Sequence, residues 1–454
     1  MKTLIVNARI VNENTIQESD VLISNGHIVR IGKDLQHQPA IKVIDANGKH
    51  LLPGIIDDQV HFREPGLTHK ADIHAEARAA VAGGTTSFME MPNTVPNTLT
   101  QGLLADKYKI ASETSLANYS FYMGASNDNY DQVMLTDPAH VCGIKIFMGS
   151  STGNMLVDAP DVLEKIFANA PCIIATHCED EPTVKKRMAY FMEKYGDNVP
   201  YDIHALIRNE EACLISSSFA SSLAHKHKTR LHILHISTGD EVSLFAVGNR
   251  RDGQIVLADG SPKLVTSEAC VHHLWFDAED YHKLGNKIKC NPAIKAPHHK
   301  QAILQALLDD RIDVIATDHA PHTVEEKAQP YWQSPSGLPL VQHSLNVMLE
   351  MRREGKISLE KIVEKMSHSV ADCFQIAHRG YIREGYWADL LLVDLDGETL
   401  VEPSTLYSKC GWSPFEETTF HSKVTHTFVS GHLAYEDGKF DESVKGKRLL
   451  FSRG

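Results

Sequence analysis

The chain has 454 residues, 42% of them hydrophobic and 23% charged, which is ordinary for a globular enzyme and long enough for a large α/β domain plus a smaller one. A formal net charge of −13 excludes the basic stripe that a nucleic-acid surface needs. No apolar run is long enough to span a membrane, and the amino terminus alternates like a strand rather than a signal peptide, so the expectation is a cytoplasmic protein.

The first fifty residues read as short strands: "TLIVNARIV", "DVLISNGHIVRIG" and "KVIDANGKHLLPG". The pairs Asn25-Gly26 and Asn47-Gly48 are hairpin signals, because a tight primed turn needs positive φ at both central positions. In the long middle, apolar runs such as "TSFMEM", "GIKIFM", "CIIATH", "LHILHIS" and "DVIATDHA" alternate with helical stretches, for instance "IHALIRNEEACLISSSFASSLAHKH" taken as one helix. Buried strands alternating with helices indicate βα units and a parallel sheet, and roughly eight such units close naturally into a (β/α)8 TIM barrel. An open doubly wound sheet is the alternative, but no glycine-rich nucleotide loop follows any strand. The carboxy-terminal runs "GYIREGYWADLLLVDLD" and "THTFVSGHLAYEDGKF" return to strand texture. The expected division is a composite β-sandwich domain from residues 1–52 and 378–454, with the barrel over 53–377. The eight cysteines are scattered without a C-x-x-C pair, so reduced buried thiols are expected.

In such a barrel the carboxyl ends of the strands converge on the active site. "IIDDQVHFR" places Asp57, Gln59 and His61 on one face by the two-residue period of a strand, with Asp58 and Val60 pointing the other way. Lys145 lies in an apolar strand, His177 and His235 end two others, and Asp318 ends a fourth with His322 four residues on. Each alone has a dull explanation: a hydrogen-bonded core histidine, a paired lysine, an aspartate capping a helix. Imidazole, amine and carboxylate groups from several strand ends together suit zinc. A desolvated lysine has a depressed pKa and a nucleophilic amine. Addition of CO2 would make it a carbamate able to bridge two metals.

The set D-x-x-x-H-x-R, the lysine, the two strand-end histidines and "ATDHAPH" resembles the cyclic amidohydrolases, and among them the dihydroorotases. The likeness runs over nearly the whole chain through "MPNTVPN", "HCED", "HILHIST", "VTSEACVHHL", "NPAIK", "DHAPHTVEEK" and "SPFEETTF". It implies a (β/α)8 barrel with a terminal β-sandwich and two zinc ions. By that resemblance His61 and Asp318 hold the first zinc, the Lys145 carbamate bridges, His177 and His235 hold the second, and Asp318 is also the catalytic base. Arg63 and Asn93, helped by His322, would take the substrate carboxylate, and Asn291 and the backbone of Gly337, Leu338 and Pro339 the ring. The implied activity is reversible cyclisation of N-carbamoyl-L-aspartate to L-dihydroorotate, with a small-molecule substrate and a homodimer as the family's habit.

Two departures stand out. Gln59 occupies the place of the family's first histidine, and an amide oxygen is a weaker zinc ligand than imidazole. It would ligate weakly or through water, or leave the first site to His61, Asp318 and the carbamate. Lys145 stands where many bacterial relatives carry aspartate. Two alternatives stay open: an allantoinase- or hydantoinase-type enzyme, and an inactive dihydroorotase-like partner of aspartate transcarbamoylase, a chain in which a change such as Gln59 is at home. The segment "PHTVEEKAQPYWQSPSG" reads as a polar loop over the site, either a lid or a static surface loop. The remaining histidines, including His69, His74, His272, His273, His298 and His299, are taken as structural.

Overall fold

A computed structural model describes residues 2–149 and 155–453. The first strands, β1 (Lys2–Asn12), β2 (Thr15–Ser24), β3 (His27–Gly32), β4 (Lys42–Asp45) and β5 (His50–Pro53), form one sheet with strands from the other end of the chain. Asn25 and Gly26, with φ of 49° and 84°, make the β2–β3 hairpin turn that the sequence signals. Asn47-Gly48 does something else. Both β4 and β5 run parallel to β1 along the same edge, so this turn moves the chain past an irregularity at Asn7 instead of reversing it. Gly48 N bonds Asn7 O at 3.0 Å.

Eight parallel strand positions follow. They are β6 (Ile55–Val60), β7 (Thr85–Glu90), β8 (Asn118–Phe121) continued by β9 (Met123–Gly124), β10 (Ile144–Phe147), β11 (Ile174–His177), β12 (Leu231–Ile233), β15 (Val265–Cys270) and β16 (Val314–Ala316). A small antiparallel pair, β13 (Asn249–Arg251) and β14 (Gln254–Val256), interrupts the series. The three-stranded sheet β6-β7-β8 and the six-stranded sheet β9 to β16 differ only by a break at Tyr122, and a parallel bridge from Val60 to His319 joins their outer edges. That bridge closes the (β/α)8 barrel. Its interior is packed by Ile56, Met89, Met91, Tyr122, Ala175, Leu234 and Val314, and Phe374 belongs to the same cluster, so it is a filled core and not a pore. The remaining strands are β17 (Leu390–Asp394), the short pair β18 (Thr399–Leu400) and β19 (Thr419–Phe420), then β20 (Lys423–Val429), β21 (His432–Glu436) and β22 (Lys439–Phe440). The sheet order β22-β21-β20-β17-β5-β1-β2-β3 mixes both ends of the chain, with Ile5, Val21, Ile28, Leu390 and Phe428 in its own core. The last residues turn back to the barrel, where Leu449 and Phe451 join the interior cluster.

Two local expectations change. The stretch expected as one helix is two, Ile203–Ile207 and Glu210–His227. Arg208 leaves helical geometry, and the Asn209 side chain caps the second helix by accepting from Ala212 N. In β6, pairing with β7 shifts register between Asp57 and Val60. This irregularity breaks the two-residue alternation, so Asp58 does not face away: its carboxylate lies against His232 and Glu268 inside the barrel. All eight cysteines are free, as expected. No helix among the described residues is long and apolar enough to cross a membrane.

Candidate metal centre at the barrel mouth

The ends of β6 and β16 bring His61 and Gln59 onto Asp318. His61 Nε2 lies 3.1 Å from Asp318 Oδ1, and Gln59 Nε2 donates to the same oxygen at 3.0 Å. His61 Nδ1 is 2.8 Å from Asn93 Oδ1. An amide oxygen only accepts, so Nδ1 carries the proton and Nε2 offers its lone pair. Asp318 adopts φ of 50°, a strained setting of the kind that gathers at functional sites. Thr317, just before it, is fixed by the Asp57 carboxylate at 2.6 Å.

Across the mouth, β11 and the end of β12 place His177 Nδ1 3.0 Å from His235 Nε2. His177 Nε2 donates to Glu179 Oε2 at 2.8 Å, and Arg208 pairs with Glu179. Burial alone would raise the Glu179 pKa, but Arg208 and His177 outweigh it and hold the carboxylate at about 2. The charged carboxylate fixes the His177 tautomer, leaving Nδ1 as a lone pair aimed at the mouth. Burial lowers the pKa values of His61, His177 and His235, keeping the imidazoles neutral.

Lys145, on β10, is 1% exposed and its Nζ has no hydrogen-bond partner among the described residues. Burial brings its pKa down to about 7, against an opposing pull from Asp318. Its charge in turn depresses both His177 and His235. Lone pairs on both sides, a buried amine, and Gln59 Oε1 and His235 Nδ1, neither of which has a partner among the described residues, make a donor set suited to a cation. The donor set fits a metal ion.

The expected substrate residues fare unequally. Arg63, 7% exposed and at φ of 70°, directs Nε to Pro321 O and Nη2 to His322 Nε2, both at 3.1 Å. Burial lowers its pKa to about 10, so it stays charged at neutral pH. His322 is spent on protein contacts, with Nδ1 3.0 Å from Lys70 Nζ and 3.3 Å from Glu326 Oε2. It therefore aligns Arg63. Gly337 N and O are bonded to Lys289 and Lys327, and Leu338 O accepts from Ala320 N, so little of this backbone is spare; Pro339 has no N–H. A Cβ on Gly337 would lie 2.4 Å from Ala320 O. Asn291 is partly buried beside Pro292.

Residues 321–337 are tied down. Lys327 Nζ donates to Lys289 O, Pro335 O and Gly337 O, and Lys289 Nζ donates to Tyr331 O and Ser334 O at 2.6 Å. Sequence reasoning missed these lysines and the Glu179–Arg208 support. The carboxylate two residues after His177 was a readable signal; the others lie far away in the chain. His272 and His273, expected to be structural, bring ligand atoms within 4.8 Å of one another together with Cys270.

Comparison with known proteins agrees with this geometry. The amidohydrolase family matches residues 50–434, and the chain belongs to it; that family is metal-dependent, and the described residues include two buried groups of ligand-type side chains, Cys270–His272–His273 and Asp58–His232–Glu268. Within the family, a dihydroorotase from Methanosarcina acetivorans is 32% identical, covering 91% of this chain and 87% of its own. A dihydroorotase from Bacillus cytotoxicus is 30% identical over 96% and 99%, and an allantoinase from Deinococcus radiodurans 28% over 95% of each. Among solved structures, the L-hydantoinase (dihydropyrimidinase) of Arthrobacter aurescens superposes with a TM-score of 0.91 at 26% identity, over 99% of both chains.

Proposed function

We propose that the chain is a zinc-dependent dihydroorotase, interconverting N-carbamoyl-L-aspartate and L-dihydroorotate. The observation that carries this substrate is Arg63: a buried, charged guanidinium beside the proposed metal site whose Nη1 makes no hydrogen bond among the described residues. A ring carboxylate is its natural partner, since charge-assisted arginine–carboxylate bonds are strong and directional. The dihydroorotases among the relatives support the same reading.

His61 and Asp318 would hold one zinc, His177 and His235 the other, with the Lys145 carbamate between them and Gln59 Oε1 available to the first. Such a pair supplies Lewis acidity to the amide carbonyl and to water. The chain supplies the rest. Near neutral pH the Lys145 amine is free to take CO2, losing a proton as the carbamate forms. Asp318 accepts a proton at Oδ1 or Oδ2 and returns it to the departing ring nitrogen; Gln59 Nε2, by donating to Oδ1, holds that carboxylate in place. Arg63, aligned by His322, orients the substrate by its carboxylate, and Asn93, whose Oδ1 faces His61 Nδ1, has an amide nitrogen without a partner among the described residues. Cytoplasmic residence and a homodimer belong to the same proposal.

The test is hydrolysis of L-dihydroorotate by protein reconstituted with zinc and bicarbonate, with allantoin and dihydrouracil alongside. Turnover confined to dihydroorotate is expected. Turnover of allantoin or dihydrouracil instead would move the chain to the allantoinase or hydantoinase type. A zinc-loaded, folded protein inert on all three would make it a structural partner of aspartate transcarbamoylase.

A further inference from the structure

Below the mouth, the barrel interior holds a second ionisable cluster that the proposed chemistry does not use. Asp58 on β6, His232 on β12 and Glu268 on β15 are each fully buried, and one ligand atom from each lies within 4.8 Å of the other two. The His232 tautomer can be read from its neighbours. Its Nδ1 is 2.9 Å from Thr266 Oγ1, and that hydroxyl donates its own proton to Leu231 O at 3.2 Å. Nδ1 must therefore be the donor, which leaves Nε2 facing the carboxylates. Nε2 sits 3.2 Å from Asp58 Oδ2 and 3.9 Å from Glu268 Oε2. Yet Nε2, both Asp58 oxygens and Glu268 Oε2 form no hydrogen bond among the described residues.

Two carboxylates and an imidazole nitrogen thus converge in the barrel interior, and the oxygens that face Nε2 accept no hydrogen bond from any described residue. Left bare, such a group is costly. We propose that Asp58, His232 and Glu268 bind one divalent cation of the zinc or manganese kind, beneath and separate from the catalytic pair. Tetrahedral bonds of about 2.0–2.2 Å put neighbouring ligand atoms roughly 3.3–3.6 Å apart, and the observed 3.2 and 3.9 Å separations bracket that spacing. One imidazole with two carboxylates suits these metals better than calcium, which takes six or more oxygens. Thr266 on the far ring nitrogen is the outer hydrogen bond that metal-binding histidines habitually make. Glu268 links the two levels of the barrel: its Oε1 accepts from His235 N at 3.0 Å and from Cys270 Sγ. A cation on Oε2 fixes the carboxylate that positions the strand end carrying His235. The cluster exists because the β6 irregularity turns Asp58 inward.

The test uses crystals of the full wild-type chain at saturating zinc, then manganese, with anomalous difference maps on both sides of each metal's absorption edge. A peak within bonding distance of Asp58, His232 Nε2 and Glu268 Oε2 is expected, distinct from any peak at His61, His177 and His235. The near-isosteric Asp58→Asn variant should lose this peak and about one equivalent of metal while keeping the upper peaks. The rival occupant is a proton on Nε2. Upper peaks present with the lower position empty in both metals, or a lower peak unchanged in Asp58→Asn, would overturn the inference. A lower peak without upper ones would leave it standing and count against the zinc-dependent function.

Discussion

On the β11–β12 side of the barrel mouth, His177 is held by Glu179 and Glu179 by Arg208, so an imidazole with a fixed tautomer faces His235. On the β6–β16 side the support is shorter: Asn93 holds His61, and Gln59 spends its amide hydrogen on Asp318. A histidine at position 59 would offer the metal a lone pair; glutamine offers the base a donor. In the proposed reading one side is thus built to bind, and the other divides its residues between binding and holding the carboxylate proposed to move protons. That division explains how Gln59 is compatible with an active site: the amide nitrogen has a structural task, and its oxygen has no partner among the described residues.

Breaking the β16 side should have the largest effect. Asp318→Asn removes the proton carrier while keeping its shape, and kcat for dihydroorotate should fall on the order of 10²–10⁴-fold; steady-state assays with zinc content checked in parallel measure this. Arg63→Lys keeps the charge but loses the planar fork, and should lower kcat/KM roughly 10–100-fold, mostly through KM. A change in kcat alone would place Arg63 outside substrate binding. Gln59→His sharpens the comparison by making the two sides alike. Zinc retention against a chelator should rise on the order of tenfold, with a smaller fall in kcat as Asp318 loses its donor; unchanged zinc retention would mean that position 59 does not face the metal.

The smallest effect concerns Lys145 in the metal-free protein. Its amine is charged in the unfolded chain up to about pH 10.4, the usual lysine value, but only to about 7 when buried. The unfolded state therefore binds more protons between these values, and the penalty is full below about pH 7 and fades as pH rises. Lys145→Met should raise the melting temperature of metal-free protein at pH 6 by about 2 °C or more, with a shrinking gain toward pH 10. A gain independent of pH would show that the amine is not desolvated.

Much of the site was legible because its residues sit at the ends of apolar strand runs, and the barrel's chain order puts those ends together. His61, Lys145, His177, His235 and Asp318 all follow from that local rule. The rule failed at Asp58, where alternation was assumed to persist through β6. For His322, which the resemblance set beside Arg63 and Asn93, the rule gave only a position; the structure places its Nε2 on Arg63 Nη2.

The sequence alone determined the order of the strand runs, which side chains stand at their carboxyl ends and that an amide replaces an imidazole, because these depend on neighbours a few residues away. Only the tertiary structure decided the tautomers of His61, His177 and His232, the inward turn of Asp58 and the tying of residues 321–337 by Lys289 and Lys327. Each of those depends on partners brought from another strand or loop, at hydrogen-bonding distances that no local pattern encodes.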